Sequence, residues 1–142
     1  MIDADGGNLK SLMTKGGAKP SWSPDGKKIV YSNSNPEKGR TWFEIFVTDS
    51  AGGNVVKLTN DNITSEDPWW SRDGTKIYFV RNTDKQLKKA SIFEMDPGGK
   101  DLRRLTSVSA LDRNPRVSPD GSRLAFQSDR DGNNEIYILR LN

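Results

Sequence analysis

The sequence has 142 residues, a formal net charge of +3 and a pI near 9.2, with hydrophobic residues at only 32%; that allows one domain, or one piece of a repeat array, with a moderate core. Its 22 basic residues are interleaved with 19 acidic ones, so no basic stripe points to nucleic acid. The absence of cysteine excludes disulfides, thiolate nucleophiles and Cys-ligated metals, and the absence of histidine removes the Ser-His-Asp triad and His-ligated zinc.

The chain opens with MIDADGGNLK, in which no basic segment precedes an apolar run, so neither a signal peptide nor a membrane span is expected. Residues 9–12, from Leu9 to Leu12, read as a short strand behind the Gly6-Gly7 turn. Pro20-Ser21-Trp22-Ser23-Pro24-Asp25-Gly26 then begins a unit that returns twice, as Pro68-Trp69-Trp70-Ser71-Arg72-Asp73-Gly74 and as Pro115-Arg116-Val117-Ser118-Pro119-Asp120-Gly121. The Asp-Gly pairs lie 48 and then 47 residues apart, and Gly6-Gly7 returns at Gly52-Gly53 and Gly98-Gly99, each 46 residues on. Two landmarks therefore share one period, which divides the chain into repeats of approximately 1–47, 48–94 and 95–142.

Each repeat carries short apolar segments bounded by Gly, Pro, Asn and Asp. A first strand follows the Pro and holds Trp22, Trp70 or Val117; a second covers 28–32, 76–80 and 123–127; a third covers 44–47, 91–95 and 135–139; a fourth covers 9–12, 55–58 and 102–105. Pro, Asp and Gly suit the hairpin between the first two strands, because Pro presets φ, Asp bonds the local backbone and Gly accepts positive φ. No segment of a dozen residues keeps a 3.6-residue apolar spacing, so the chain reads as all-β. Tyr31, Phe79 and Phe126 share one second-strand column and are expected in the core, as are the adjacent Trp69 and Trp70, which face opposite sides of their strand.

A period in the forties with four strands is that of a propeller blade. Trp-Ser-Pro-Asp-Gly-Lys-Lys-Ile at 22–29, Asp-Ala-Asp-Gly-Gly-Asn-Leu-Lys at 3–10 and Ser-Asp-Arg-Asp-Gly-Asn-Asn-Glu-Ile-Tyr at 128–137 resemble the TolB-like, WD40-like (PD40-type) propeller repeat. Arg72 and Val117 depart from its usual Pro and Trp. The resemblance implies a propeller, and suggests a periplasmic or secreted setting. It extends to the noncatalytic gating propellers of peptidases and fixes no activity.

The strand phase, fourth-first-second-third repeated three times, leaves one end needing a third-strand partner and the other a fourth. Propellers close with about four to eight blades, and the multiple of three in that range is six. The expectation is a homodimer forming one six-bladed ring, each chain lending its first strand to the other's last blade, closed at Leu9, Leu12, Ile136 and Ile138; the alternative is a fragment of a longer propeller or a partner for a different half-ring.

Loops 14–19, 59–67 and 106–114 share a face with loops 33–43, 81–90 and 128–134 and differ most between repeats. There Trp42 and Arg40 are candidate anchors for a protein or peptide, or Trp42 packs on its strand. Glu66, Asp67, Arg113 and Asn114 precede first strands and are expected at the channel mouth, unless they serve only as solvated caps. Residues 129–135 place Gly132 fourth, not sixth as an EF-hand needs, so a hairpin is expected and no metal or cofactor. Lys85, Lys88 and Lys89 read as a solvated loop, with contact to an anionic partner as the alternative. With no Gly-x-Ser-x-Gly elbow or phosphate-cradling loop, the reading is a non-catalytic module binding itself and a protein or peptide. The alternatives are a small-ligand or enzymatic propeller with an acidic mouth, or a gating propeller of a larger peptidase-like protein.

Overall fold

The computed structural model describes residues 11–12, 16–35, 42–84, 86, 88–107 and 109–141. Eleven strands form three antiparallel sheets among them. Blade one holds β1 (Ala18–Trp22), β2 (Lys28–Asn35), β3 (Trp42–Asp49) and β4 (Val56–Lys57). Blade two holds β5 (Ser65–Trp70), β6 (Ile77–Asn82), β7 (Ala90–Met95) and β8 (Arg103–Arg104). Blade three holds β9 (Arg113–Val117), β10 (Arg123–Ser128) and β11 (Glu135–Arg140), with no fourth strand on β11 among the described residues. Among the described residues no helix is long and apolar enough to cross a membrane.

The hairpin between first and second strands is built the same way three times. Ser23, Ser71 and Ser118 donate through Oγ to Asp25, Asp73 and Asp120 at 2.7, 2.7 and 2.5 Å. Each carboxylate also accepts a backbone N–H two residues on, at 3.0 Å. Arg72 in place of proline leaves this circuit intact, because side-chain oxygens and backbone amides close the turn. In the second hairpin, Asp49 and Asp96 accept from the amides of Gly53 and Lys100, each at 2.8 Å. The glycines that take positive φ there are Gly52 (+85°) and Gly99 (+81°), so the structural match pairs Gly52 with Gly99, one residue off the Gly-Gly alignment.

The first strands begin before their prolines, not after. Each is bulged, between Ala18 and Ser21, between Glu66 and Trp69, and between Arg113 and Arg116 opposite β10. Proline lacks the N–H a ladder needs and fits such a bulge. The fourth strands are two residues long because a side chain takes over the ladder. Thr59 and Thr106 accept through Oγ1 from the amides of Ile45 and Ile92, at 3.0 and 2.9 Å.

The core lies between blades. One face of blade one (Val30, Ile45, Val47) meets Trp70, Ile77, Phe79, Phe93 and Met95 of blade two. Tyr78 and Ile92 on the other face of blade two meet Leu124 and Phe126 of blade three, with Val117, Tyr137 and Leu139 packed on them. Val117 stands in the tryptophan column, since it pairs with Leu124 as Trp70 pairs with Ile77 and Trp22 with Ile29. The second-strand aromatics Tyr31, Phe79 and Phe126 are all buried, as the alternation predicts.

Both outer blade faces are partly open. On blade one, Trp22 is 56% exposed although its counterpart Trp70 is 5% exposed; Ile29 and Tyr31 on the same face are buried. On blade three, Ile136 and Ile138 are 73% and 65% exposed. Their counterparts in blade one are the buried Ile45 and Val47.

Candidate functional site

The innermost strands β1, β5 and β9 lie side by side along the axis. In each bulge, the residue before proline has a left-handed backbone: Lys19 (φ +51°), Asp67 (+53°) and Asn114 (+54°). Asn and Asp visit that region more readily than other non-glycine residues, whereas Lys costs on the order of 1–2 kcal/mol there. The bulge turns all three toward one small cleft of about 200 Å³, walled by Pro20, Pro68 and Trp69 and closed by Arg116.

Asp67 is the centre of the cleft. Its side chain is only 3% exposed and lies between two cations, each 47% exposed. Arg116 Nη1 donates to Asp67 Oδ1 at 3.3 Å and to the Pro115 carbonyl at 2.7 Å. Lys19 Nζ lies 4.0 Å from Asp67 Oδ2, beyond hydrogen-bond reach. That oxygen is buried, and among the described residues none donates a hydrogen bond to it. The Arg116 guanidinium lies over the Trp69 ring, 4.5 Å from its centroid, a cation–π contact that also orients it.

The structure brings Asp67 and Asn114 together and leaves Glu66 and Arg113 outside the cleft. Glu66 is half-buried and opposite Val80; Arg113 is exposed and opposite Gln127. Asn114 donates through Nδ2 to Gln127 Oε1 at 3.2 Å. Lys19 and Arg116 did not emerge from sequence reasoning, although both were legible: Lys19 precedes its proline as Asp67 and Asn114 do, and Arg116 shares a column with Trp69. Trp69 departs from expectation. Trp70 packs against blade one, but Trp69 points toward β9, where Arg116 gives it a charged neighbour beside the cleft in place of a core.

Trp42 is half-buried at the start of β3 and lines a second groove of about 630 Å³ with Ile63, Phe93, Leu102, Arg81 and Arg104. Arg81 is paired with Asp61, and Arg104 lies over the Phe93 ring at 5.1 Å. Arg40, Leu9 and Lys85 fall outside the described residues. Lys88 and Lys89 are exposed, and their amides donate to Asp84 at 2.9 and 3.1 Å. The 129–135 segment is a hairpin: Gly132 N–H bonds the Asp129 carbonyl at 2.9 Å, Asp129 Oδ1 accepts from Leu111 N–H at 2.8 Å, and Asp131 accepts from the Tyr137 hydroxyl. Among the described residues no three acidic, His or Cys side chains are grouped to hold a metal. Leu12 lies against Gly52 as Leu58 lies against Gly99, where the outer strand of a preceding blade would run.

A family model described as the TolB beta propeller domain, PD40, matches residues 1–142. The chain belongs to that family. Among solved structures, the PD40 chain is 28% identical to TolB from Acinetobacter baumannii (TM-score 0.80, 99% of this chain and 34% of that one). It is 24% identical to a TolB from Agrobacterium tumefaciens (TM-score 0.78, 92% of this chain and 48% of that one). It also shares its fold with an oligogalacturonate lyase from Vibrio parahaemolyticus at 13% identity (TM-score 0.72, 99% of this chain and 43% of that one). The chain thus spans less than half the length of each of these neighbours, and they include both TolB proteins and an enzyme. No curated protein matches the sequence.

Proposed function

We propose that this PD40 chain is half of a six-bladed propeller, completed by a second copy, and that the assembled ring is a non-catalytic module binding a protein or peptide on its loop-rich face. One observation carries the reading: the two outer faces are complementary by register. Ala125, Ile136 and Ile138 occupy the columns of Val30, Ile45 and Val47, the surface that receives Trp70. Trp22 occupies the column of Trp70. A second copy would therefore repeat, between chains, the packing already made between blades one and two. Three blades of six span about half a turn, so two such contacts close the ring with two-fold symmetry.

Sedimentation equilibrium tests the ring. The expected mass is twice 15.9 kDa, falling to that of one chain in an Ile136→Lys/Ile138→Lys variant. The share of each TolB chain that is covered favours a second reading, in which the missing blades come from a longer polypeptide. A one-chain mass unchanged by the lysines selects that reading and ends the first. For the binding face, selection from a random peptide library is expected to yield ligands that lose affinity on Trp42→Ala or on Glu66→Ala/Arg113→Ala. Binding indifferent to all three substitutions rejects this face.

A further inference from the structure

We propose that the axial cleft is a carboxylate-binding subsite, in which Lys19 and Arg116 grip the anion and Asp67 is a positioning residue that aims both cations. The inference rests on the loop-rich end of the axis being a ligand face, but not on ring closure, because Lys19, Asp67 and Arg116 come from the three blades of one chain.

Two cations converge on one carboxylate, so the cleft has an excess of positive charge. Arg116 spends Nη1 on Asp67 and Pro115. Among the described residues its Nε and Nη2 edge carries no partner, and that edge is the one that receives a carboxylate bidentately. Lys19 Nζ stands too far from Asp67 Oδ2 to bond it and keeps its donors for a second oxygen. The buried Oδ2, to which no described residue donates a hydrogen bond, draws the ammonium of Lys19 toward the cleft by charge alone. Trp69 beneath the guanidinium and the prolines to the sides give the anion apolar walls, and a volume of about 200 Å³ admits one side chain or one chain end. The ligand class is a carboxylate-bearing peptide, with the carboxylate on an acidic side chain or at the C-terminus.

The test is an NMR titration of the isotope-labelled full chain, following the Arg116 side-chain N–H, the Lys19 ammonium and the Trp69 indole. Three probes are added: acetyl-Gly-Glu-Gly-amide, acetyl-Gly-Gly-Gly with a free C-terminus, and the neutral acetyl-Gly-Gln-Gly-amide. Saturable shifts with at least one carboxylate peptide and none with the neutral one are expected, and the peptide that binds identifies the source of the carboxylate. Lys19→Gln and Arg116→Gln, both at half-exposed positions, are expected to weaken binding at least tenfold. Asp67→Asn separates positioning from plain charge. Removing a negative charge strengthens anion binding if only net charge matters, whereas loss of aim weakens it, and at least threefold weakening with an unchanged fold is expected. No shift with either carboxylate, equal shifts with the neutral peptide, or full affinity in both glutamine variants overturns the subsite. Tighter binding in Asp67→Asn overturns the role of Asp67. If the peptides bind here while library ligands ignore the loop-rich face, the subsite stands and the broader reading falls; the converse result does the reverse.

Discussion

Asp25, Asp73 and Asp120 are each held below the ordinary carboxylate value of 3.8, first by the serine hydroxyl that donates to them and then by a backbone amide. A carboxyl whose pKa is depressed by folding adds stability in full above its unfolded value and loses it as pH falls through its folded one. The melting temperature is therefore expected to fall as pH drops below about 4, and an Asp25→Asn/Asp73→Asn/Asp120→Asn variant should show a flatter thermal-melt profile over the same range. This turn chemistry was readable in the sequence because one residue pattern recurs in all three copies. The axial cleft was harder to see. Its column holds Lys19, Asp67 and Asn114, three different chemistries, and the bulge that turns them together is a backbone event that residue types alone do not announce.

Among the elements, the glycine-bearing hairpins show what the repeat constrains. A Cβ on Gly99 would lie 2.8 Å from the Leu58 carbonyl oxygen, whereas one on Gly132 meets nothing within 4 Å. Both glycines have positive φ, so alanine costs about 1–2 kcal/mol at either site from the backbone alone. Gly99→Ala must also displace the neighbouring strand, and urea denaturation should show the larger loss there. Strand identity was legible from the alternation and the landmarks. Strand ends were not: the fourth strands stop after two residues because Thr59 and Thr106 substitute a hydroxyl for a carbonyl, and the first strands start upstream of proline because a bulge absorbs its missing N–H.

Across the whole molecule, Trp22 and Trp70 form a natural pair of probes. Trp70 packs between blades of its own chain, and Trp70→Ala should cost about 3–5 kcal/mol, read by denaturant unfolding. Trp22 occupies the same column with its ring still largely in solvent. Trp22→Ala is expected to spare single-chain stability, lower the affinity between copies and remove the protein-concentration dependence of the melting temperature. The three-fold repeat and its strand phase were plain in the sequence. The match between the two outer faces needed the register, because Ile136 and Ile138 read as ordinary third-strand residues until they align with buried positions elsewhere.

The left-handed column before the prolines also bears on how this protein can change. A Lys19→Gly substitution would relieve backbone strain, with a gain of roughly 0.5–1 kcal/mol after the added flexibility of the unfolded chain, and would delete one of the two axial cations. Selection for heat resistance and selection for ligand capture would then pull this position in opposite directions. Variants chosen only for thermal tolerance should drift toward glycine at the axis and lose grip on anions while their blades grow firmer.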